Sequence, residues 1–368
     1  MTKSRLKSIC SRIKAESAVK NVAAGIKKLP KLCVEIYKNY PIRDVSKRLR
    51  KNLKPTKIKR RCLKFLKKPL RFISDSWKVV LMSLSCFLFC YYVIGGFISE
   101  KISTEDMPEN TPKTTSQIMA DLIDREVRDN IWTPNLPIIF PAYILDNMPN
   151  FQIGVIYAIR DTASALKQIY YQTPEQKQHI QKASVLLKYS PNVWLLSRKS
   201  AFSIAPSSNS QYRKARRELI RAGEYGPLIS TAANFDVLLS QMSSQLTKLI
   251  EENENNIAEK SSDWFDFKSD DLFYKNKGYA YAQWQIADSV GNEFKELIVA
   301  AEAYNHWTYL INSLRKAAQM NPIIVRNGKI DSSLAPNHLT VQNYFLSRAV
   351  VNIEKIRNSI WKKYANQN

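Results

Sequence analysis

The histidines, which are the side chains best suited to proton transfer or metal binding, are too few and too scattered to form a recognisable site. The chain has three of them, His179, His306 and His338, and no pair has the HExxH spacing that puts two zinc ligands on one helical face. Walker, GxGxxG and GxSxG motifs are also absent from the sequence. All five cysteines lie within the first 90 residues, so no cysteine-based metal site is expected beyond them. We therefore predict no metal and no cofactor, and no motif specifies a reaction.

A second set of polar residues would form a functional cluster if folding brought them together. Arg160 and Asp161 are adjacent, and Arg160 and Arg348 each flank the apolar stripe of a predicted helix. The favoured alternative is that both arginines only lie along apolar surface, with their charges in solvent or in local ion pairs. His338 follows a proline–asparagine pair at a predicted helix start, where it could act in catalysis or only contact the backbone. The candidate polar cluster comprises Asn147, Arg160, Asp161, Asn337, His338 and Arg348.

Helices are predicted to position these residues, because apolar side chains recur at helical spacing along the chain beyond residue 115. Only six glycines occur beyond residue 99, which is too few for a fold built from many turns. Residues 131–149 contain four prolines and are predicted to be an extended connection. The predicted helices are 116–130 capped by Ser116, 150–172 capped by Asn150, 174–188, 211–221, 229–257, 271–290, 292–320 and 336–361.

One short segment favours strands instead of a helix. Asn327 and Gly328 lie between apolar residues, and an Asn-Gly pair is a strong hairpin signal because both turn positions need positive φ. We therefore predict one small β-hairpin near residues 323–331. The predicted fold class is all-α, with a single transmembrane helix followed by a multi-helix soluble domain that contains this hairpin.

The transmembrane helix is predicted from Val79–Ile98, a run of twenty residues without a charge. A helix of that length spans about 30 Å, the thickness of the bilayer hydrocarbon core. The run is too long, and too far from the amino terminus, for a cleaved signal peptide. The predicted organisation is a basic tail (1–77), the transmembrane helix (78–99), a linker (100–114) and a helical extracytoplasmic domain (115–368).

The basic tail sets the predicted orientation. Residues 1–78 hold 25 Lys or Arg and four acidic residues, a net charge of +21, whereas the remaining residues hold 31 and 28. Basic residues accumulate on the cytoplasmic side of a transmembrane helix, so the amino terminus is predicted to be cytoplasmic. Three interpretations of the tail stay open: contact with anionic lipid headgroups, a topology signal without a binding role, and salt-sensitive nucleic-acid binding. The first is favoured and the last is the least expected, because no recognition module is visible.

Three blocks of residues resemble motifs of a family of uncharacterised bacterial membrane proteins, domain of unknown function 2333, found chiefly in gammaproteobacteria. The first block is residues 145–150 (LDNMPN) with Gly154, Val155, Arg160 and Asp161, the second is 270–274 (DDLFY) with Gly278 and Ala282, and the third is Asn327-Gly328, 335–339 (APNHL), Arg348, Ala349 and Asn352. The resemblance covers residues 77–362. It implies an inner-membrane protein with a periplasmic domain and supplies no activity, cofactor or catalytic residue. The long basic tail is a departure from the family.

The sequence thus favours a non-enzymatic scaffold or binding module of the bacterial envelope, with an unidentified envelope protein or polymer as its partner. One alternative is an enzyme that acts on an envelope polymer or lipid. Such an enzyme requires Arg160, Asp161, His338 and Arg348 to converge in an apolar-walled cleft. The other alternative is a membrane-tethered nucleic-acid binder that uses the basic tail.

Overall fold

The computed structural model describes residues 77–99, 102–107, 113–137, 147–194, 206–260, 267–322, 324–328 and 337–365. The predicted basic tail lies almost wholly outside the described residues. The chain divides into two units, Met1–Leu84 and Ser85–Asn368, and the boundary falls within the first helix.

That first helix, α1, spans Trp77–Ser99. Among the described residues it is the one helix that is long and apolar enough, by length and composition, to cross a membrane. Large apolar side chains along it, such as Met82, Phe87 and Phe89, are exposed. The prediction of a single candidate membrane helix is therefore confirmed.

The remaining described elements are helical, which confirms the all-α class. A one-turn π-helix, Arg125–Asp129, directly continues α2. The α-helices that follow α1 are α2 Thr115–Asp124, α3 Asn147–Leu166, α4 Pro174–Leu187, α5 Ser208–Glu224, α6 Ala232–Lys260, α7 Phe267–Glu293, α8 Lys295–Ala300, α9 Tyr304–Gln319 and α10 His338–Ala365.

Helix α7 lies at the centre of the bundle, where it packs against α2, α3, α6 and α9. Its middle is buried on all sides, including Tyr281 and Trp284, which explains why it lacks a clear polar face. The outer helices pair as α4 with α5, α2 with α5, and α10 with both α6 and α9. The predicted linker contributes to this packing, because the Tyr281 hydroxyl donates to the Glu105 carbonyl at 3.2 Å.

Local hydrogen bonds place two helix starts differently from the prediction. The cap of α2 is Thr114 instead of Ser116: its hydroxyl accepts from the Gln117 N–H while the Gln117 side chain accepts from the Thr114 N–H, a reciprocal capping box. Helix α3 begins at Asn147, before the predicted cap Asn150. Pro149 does not prevent this, because N–H groups in the first helical turn have no intrahelical partner.

Two further predictions are corrected towards the carboxy terminus. The predicted helix 292–320 is broken into α8 and α9 around Glu302, which has a φ of 56°. The β-hairpin is not supported, because the described residues contain no strand. Asn327 instead forms an isolated antiparallel bridge with Asn337, whose side chain also donates to the Asn327 Oδ1 at 2.8 Å and the Gly328 carbonyl at 2.7 Å. Residues 323 and 329–331 of the predicted hairpin lie outside the described residues.

Candidate functional site

The arginine–aspartate pair of the predicted polar cluster lies on α3. Arg160 Nε is 2.9 Å from Asp161 Oδ1, and the guanidinium carbon is 4.1 Å from the centroid of the Tyr157 ring. The buried Tyr279 hydroxyl lies 3.4 Å from Asp161 Oδ2. Burial and then the Asp161 charge raise the pKa of Tyr279 well above its ordinary value, so this hydroxyl stays protonated. Each charge of the pair is thus satisfied locally.

The other members of the predicted cluster have structural contacts of their own. Asn337 caps α10, since its Oδ1 accepts from the Thr340 N–H at 2.9 Å. The Nδ1 of His338 accepts from the Arg326 N–H at 2.9 Å, and burial lowers the pKa of this imidazole. Arg348 is exposed and donates to the Tyr344 hydroxyl at 2.9 Å, while Asn147 is the first residue of α3.

The structure therefore joins the pair Arg160 and Asp161 by an ion pair, whereas the side chains of the neighbouring pair Asn337 and His338 bond to separate residues, Asn327 and Arg326. Within the described ranges, no hydrogen bond or ion pair connects either pair to Arg348, to Asn147 or to the other pair. The enzyme alternative, which requires these residues to converge in a cleft, gains no support from their described contacts. Nor do the described residues contain a group of three or more His, Cys, Asp or Glu side chains that could hold a metal ion.

A groove that the sequence did not predict lies between the π-helical turn and α5, with a volume of about 570 Å³. We call it the basic groove, because three arginines line it. One wall follows the π-helical turn, a feature that widens a helix and often marks functional sites. The other wall is the first half of α5. Its lining residues are Val127, Arg128, Asn130, Ile131, Trp132, Asn135, Leu136, Trp194, Ser207, Asn209, Ser210, Arg213 and Arg217.

Buried and partly buried hydrogen bonds fix the groove-lining side chains to distant parts of the chain. The indole N–H of Trp132 donates to the Pro191 carbonyl at 3.2 Å. The Asn135 amide donates to the Val193 carbonyl at 2.8 Å and to Asn209 Oδ1 at 3.2 Å. Because these contacts join residues far apart in the chain, the groove is a product of the tertiary fold and no short motif encodes it.

The first two residues of the π-helical turn, Arg125 and Glu126, form an ion pair. Glu126 is fully buried and lies 2.8 Å from Arg125. Burial raises the pKa of this carboxyl, while Arg125 and the neighbouring side-chain amides oppose the shift. The Arg125 guanidinium also donates to the Ser103 carbonyl, and its central carbon is 4.4 Å from the centroid of the Tyr281 ring.

The charge of α5 is strongly asymmetric, with five basic residues against two acidic ones. Arg216 pairs with Asp124 at 2.8 Å, and Arg221 lies 3.3 Å from Glu218. Arg213, Lys214 and Arg217 are exposed, and in the part of the chain that the structure describes none of them pairs with a carboxylate. The Arg213 guanidinium donates one hydrogen bond, to the Val127 carbonyl at 3.4 Å, and no described carboxylate neutralises the three charges, so they can attract an anionic ligand.

A second groove, of about 650 Å³, lies between α4 and α5. We call it the lateral groove. Arg217 lines both grooves, so the two form one continuous basic surface across α5. The single carboxylate in the lateral groove, Glu218, is held 2.7 Å from His179 Nδ1 as well as by Arg221. The lining residues are Gln181, Lys182, Val185, Leu186, Lys214, Arg217, Glu218 and Arg221.

Fold and surface together define an all-α protein with one candidate membrane helix and a basic surface on its helical domain. Residues 221–362 match the family model described as an uncharacterized protein conserved in bacteria, domain of unknown function 2333. The resemblance found in the sequence is confirmed over these residues. No curated protein and no solved structure matches the chain. The match includes α6–α10, whereas Arg213, Lys214 and Arg217 precede it, so the basic surface belongs mainly to the part outside the match.

Proposed function

We propose that this protein is a single-pass inner-membrane protein whose helical domain is a non-enzymatic binding module for an anionic component of the bacterial envelope. In this proposal α1 is the membrane anchor, the amino terminus is cytoplasmic and the helical domain is periplasmic. The basic tail contacts anionic headgroups on the cytoplasmic side. The distribution of basic residues before α1 supports this orientation.

One observation carries the binding role: Arg213, Lys214 and Arg217 form an exposed basic patch between two grooves without carboxylate partners among the described residues. Arginine presents a planar fork of donors that matches phosphate and carboxylate groups. A cationic groove also concentrates anions around itself. Both features favour recognition of a phosphate- or carboxylate-bearing ligand over an uncharged one.

The binding test uses the full-length protein in nanodiscs of neutral lipid, with polyphosphate as a soluble anionic probe. Because the net charge of +21 in residues 1–78 would also attract a polyanion, the readout must be local to the groove. Ser210 is exposed and lines the basic groove. In a chain whose five cysteines are replaced by serine, Ser210→Cys carries an environment-sensitive fluorophore. The same fluorophore at Ser244→Cys, an exposed position on α6, serves as the control.

We expect polyphosphate to change the Ser210 signal and to leave the Ser244 signal unchanged. A triple variant, Arg213→Gln, Lys214→Gln and Arg217→Gln, is expected to show this response only at a much higher polyphosphate concentration. A matched variant with the same loss of charge, Lys248→Gln, Lys295→Gln and Lys355→Gln, removes exposed lysines from other helices and is expected to keep it. Equal responses in the two triple variants would contradict the proposed function.

Orientation needs a separate experiment. Alkaline phosphatase, which is active only outside the cytoplasm, is fused after residue 115 and, in a second fusion protein, at the carboxy terminus. Activity from both fusions is the expected result. Inactivity of both, together with activity of a cytoplasmic reporter at the same positions, would refute the periplasmic placement of the helical domain.

A further inference from the structure

We propose that the basic surface of α5 docks onto the headgroups of anionic phospholipids, so that the helical domain contacts a membrane surface as well as being anchored by α1. This inference rests on the proposed function and names the ligand class of the same surface.

Apolar side chains at the margins of the surface favour a lipid over a soluble polymer. Val185 in the lateral groove is 67% exposed, and Ile131 and Trp194 in the basic groove are 64% and 48% exposed. Contact with water or with a polyphosphate chain does not lower the free energy of an exposed aliphatic side chain. Insertion into the headgroup and upper acyl region of a bilayer does, because the side chain then leaves water. Tryptophan is enriched at the same membrane depth because its ring is amphipathic.

Charge and apolar surface are arranged together, as peripheral membrane binding requires. Val185 and Leu186 lie in one groove with Lys182, Lys214 and Arg221. In the other groove, Ile131 and Trp194 lie with Arg213 and Arg217. Arginine and lysine have long apolar stems, so they can reach headgroup phosphates while the neighbouring aliphatic groups insert more deeply. Anionic lipids attract such basic residues, and salt screens the attraction.

The test uses the full-length protein in nanodiscs of phosphatidylcholine alone or of phosphatidylcholine with phosphatidylglycerol. Val185→Cys, in the chain with serine at the five natural cysteine positions, carries an environment-sensitive fluorophore. Lipids with a quencher on the acyl chain report insertion of the probe. We expect a blue shift and quenching in nanodiscs with phosphatidylglycerol, reversal of both by high salt, and no change for the probe at Ser244.

Two variants separate the contributions of charge and apolar surface. The Arg213→Gln, Lys214→Gln, Arg217→Gln variant is expected to weaken docking by about a hundredfold, since each basic residue near an anionic membrane contributes about fivefold. The matched Lys248, Lys295, Lys355 variant is expected to dock normally. Ile131→Ser is expected to weaken docking to lipid while the Ser210 probe still responds to polyphosphate. Far-UV circular dichroism checks that each variant is folded.

The outcomes distinguish this inference from the proposed function. A polyphosphate response at Ser210 without quenching at Val185 in anionic nanodiscs overturns the lipid inference and leaves the binding module intact. Failure of both responses overturns both. Quenching that is the same in neutral and anionic nanodiscs also overturns the inference, because it would show insertion that does not depend on headgroup charge.

Discussion

Helices α3 and α7 approach each other so closely that two glycines in the contact leave no room for a side chain. A Cβ atom on Gly278 would lie 2.0 Å from the Phe151 carbonyl oxygen, and a Cβ atom on Gly154 would lie 2.0 Å from the Lys275 carbonyl oxygen. Both obstacles are backbone atoms, which cannot rotate away. Alanine at either position must therefore push α3 and α7 apart.

The expected cost of Gly278→Ala follows from two opposing effects. Overpacking in a well-packed core costs about 1–3 kcal/mol, and more when the backbone must move. Alanine in place of glycine in a helix returns about 1 kcal/mol through higher helix propensity. Because the clash is with backbone, we expect the free energy of unfolding to fall by about 2 kcal/mol or more. For a domain of this size that lowers the midpoint of thermal unfolding by roughly 5 °C.

Thermal and guanidinium unfolding of the full-length protein in detergent, followed by far-UV circular dichroism, measure this loss. Ser244→Ala, at an exposed position on α6, is the control and is expected to change stability by a few tenths of a kcal/mol at most. The double variant Gly154→Ala, Gly278→Ala is expected to lose less than the sum of the two single losses, because either change already separates the helices. A Gly278→Ala protein as stable as the unchanged protein would refute this description of the contact.

Other changes test the polar groups that organise the bundle. Burial lowers the pKa of Lys277 from 10.5 to about 8, so the unfolded state binds more protons between these pH values and stability rises with pH across them. Lys277→Met removes this pH dependence, together with the hydrogen bonds from the Lys277 ammonium to the Met320 carbonyl and to Asn321 Oδ1. In equilibrium unfolding, the stability of Lys277→Met relative to the unchanged protein is therefore expected to fall by up to about 3 kcal/mol between pH 7 and pH 10. A relative stability that is constant with pH would contradict the burial argument. Asn337→Ala removes the cap of α10 and the side-chain bond to Asn327. The free energy of unfolding, measured by chemical denaturation, is expected to fall by about 1–3 kcal/mol. A decrease below about 0.5 kcal/mol would show that water replaces these bonds. Thr114→Ala removes half of the capping box and is expected to cost about 1 kcal/mol, whereas the exposed Thr308→Ala should cost less.

The helical content was predictable because periodic apolar residues report directly on which face of a segment is buried. The helix boundaries depended on details that the pattern does not contain. Ser116 and Thr114 are both acceptable caps, and only the reciprocal bonds with Gln117 distinguish them. No glycine or proline lies near Glu302, so no helix-breaking residue predicts the break there. It is fixed by burial of Ala301 and Ala303 and by the bond from the Ala303 N–H to the Ile298 carbonyl at 3.0 Å.

The functional surface was less predictable than the fold, for a physical reason. Its walls come from separate segments, so the groove exists only after Asn135 and Asn209 are brought within hydrogen-bond distance. The excess of basic residues on α5 was visible in the sequence, but a charged helix face is usually only solvated. What distinguishes Arg213 and Arg217 is the absence of carboxylate partners among the described residues, which follows from tertiary structure. The candidate polar cluster around Arg160 came from charged and polar residues beside predicted helix stripes and helix starts, and its functional role stays a prediction.

The salt dependence of polyphosphate binding, read from the fluorophore at Ser210, tests most directly whether the basic surface of α5 is the ligand site. Each charge contact with a flexible phosphate chain contributes about 0.7 to the slope of log K against log salt concentration. Removing Arg213, Lys214 and Arg217 is therefore expected to reduce that slope by about 2, while the matched Lys248, Lys295, Lys355 variant keeps the original slope. Identical slopes for the two variants would contradict the account, because they would show that the ligand does not contact these three residues.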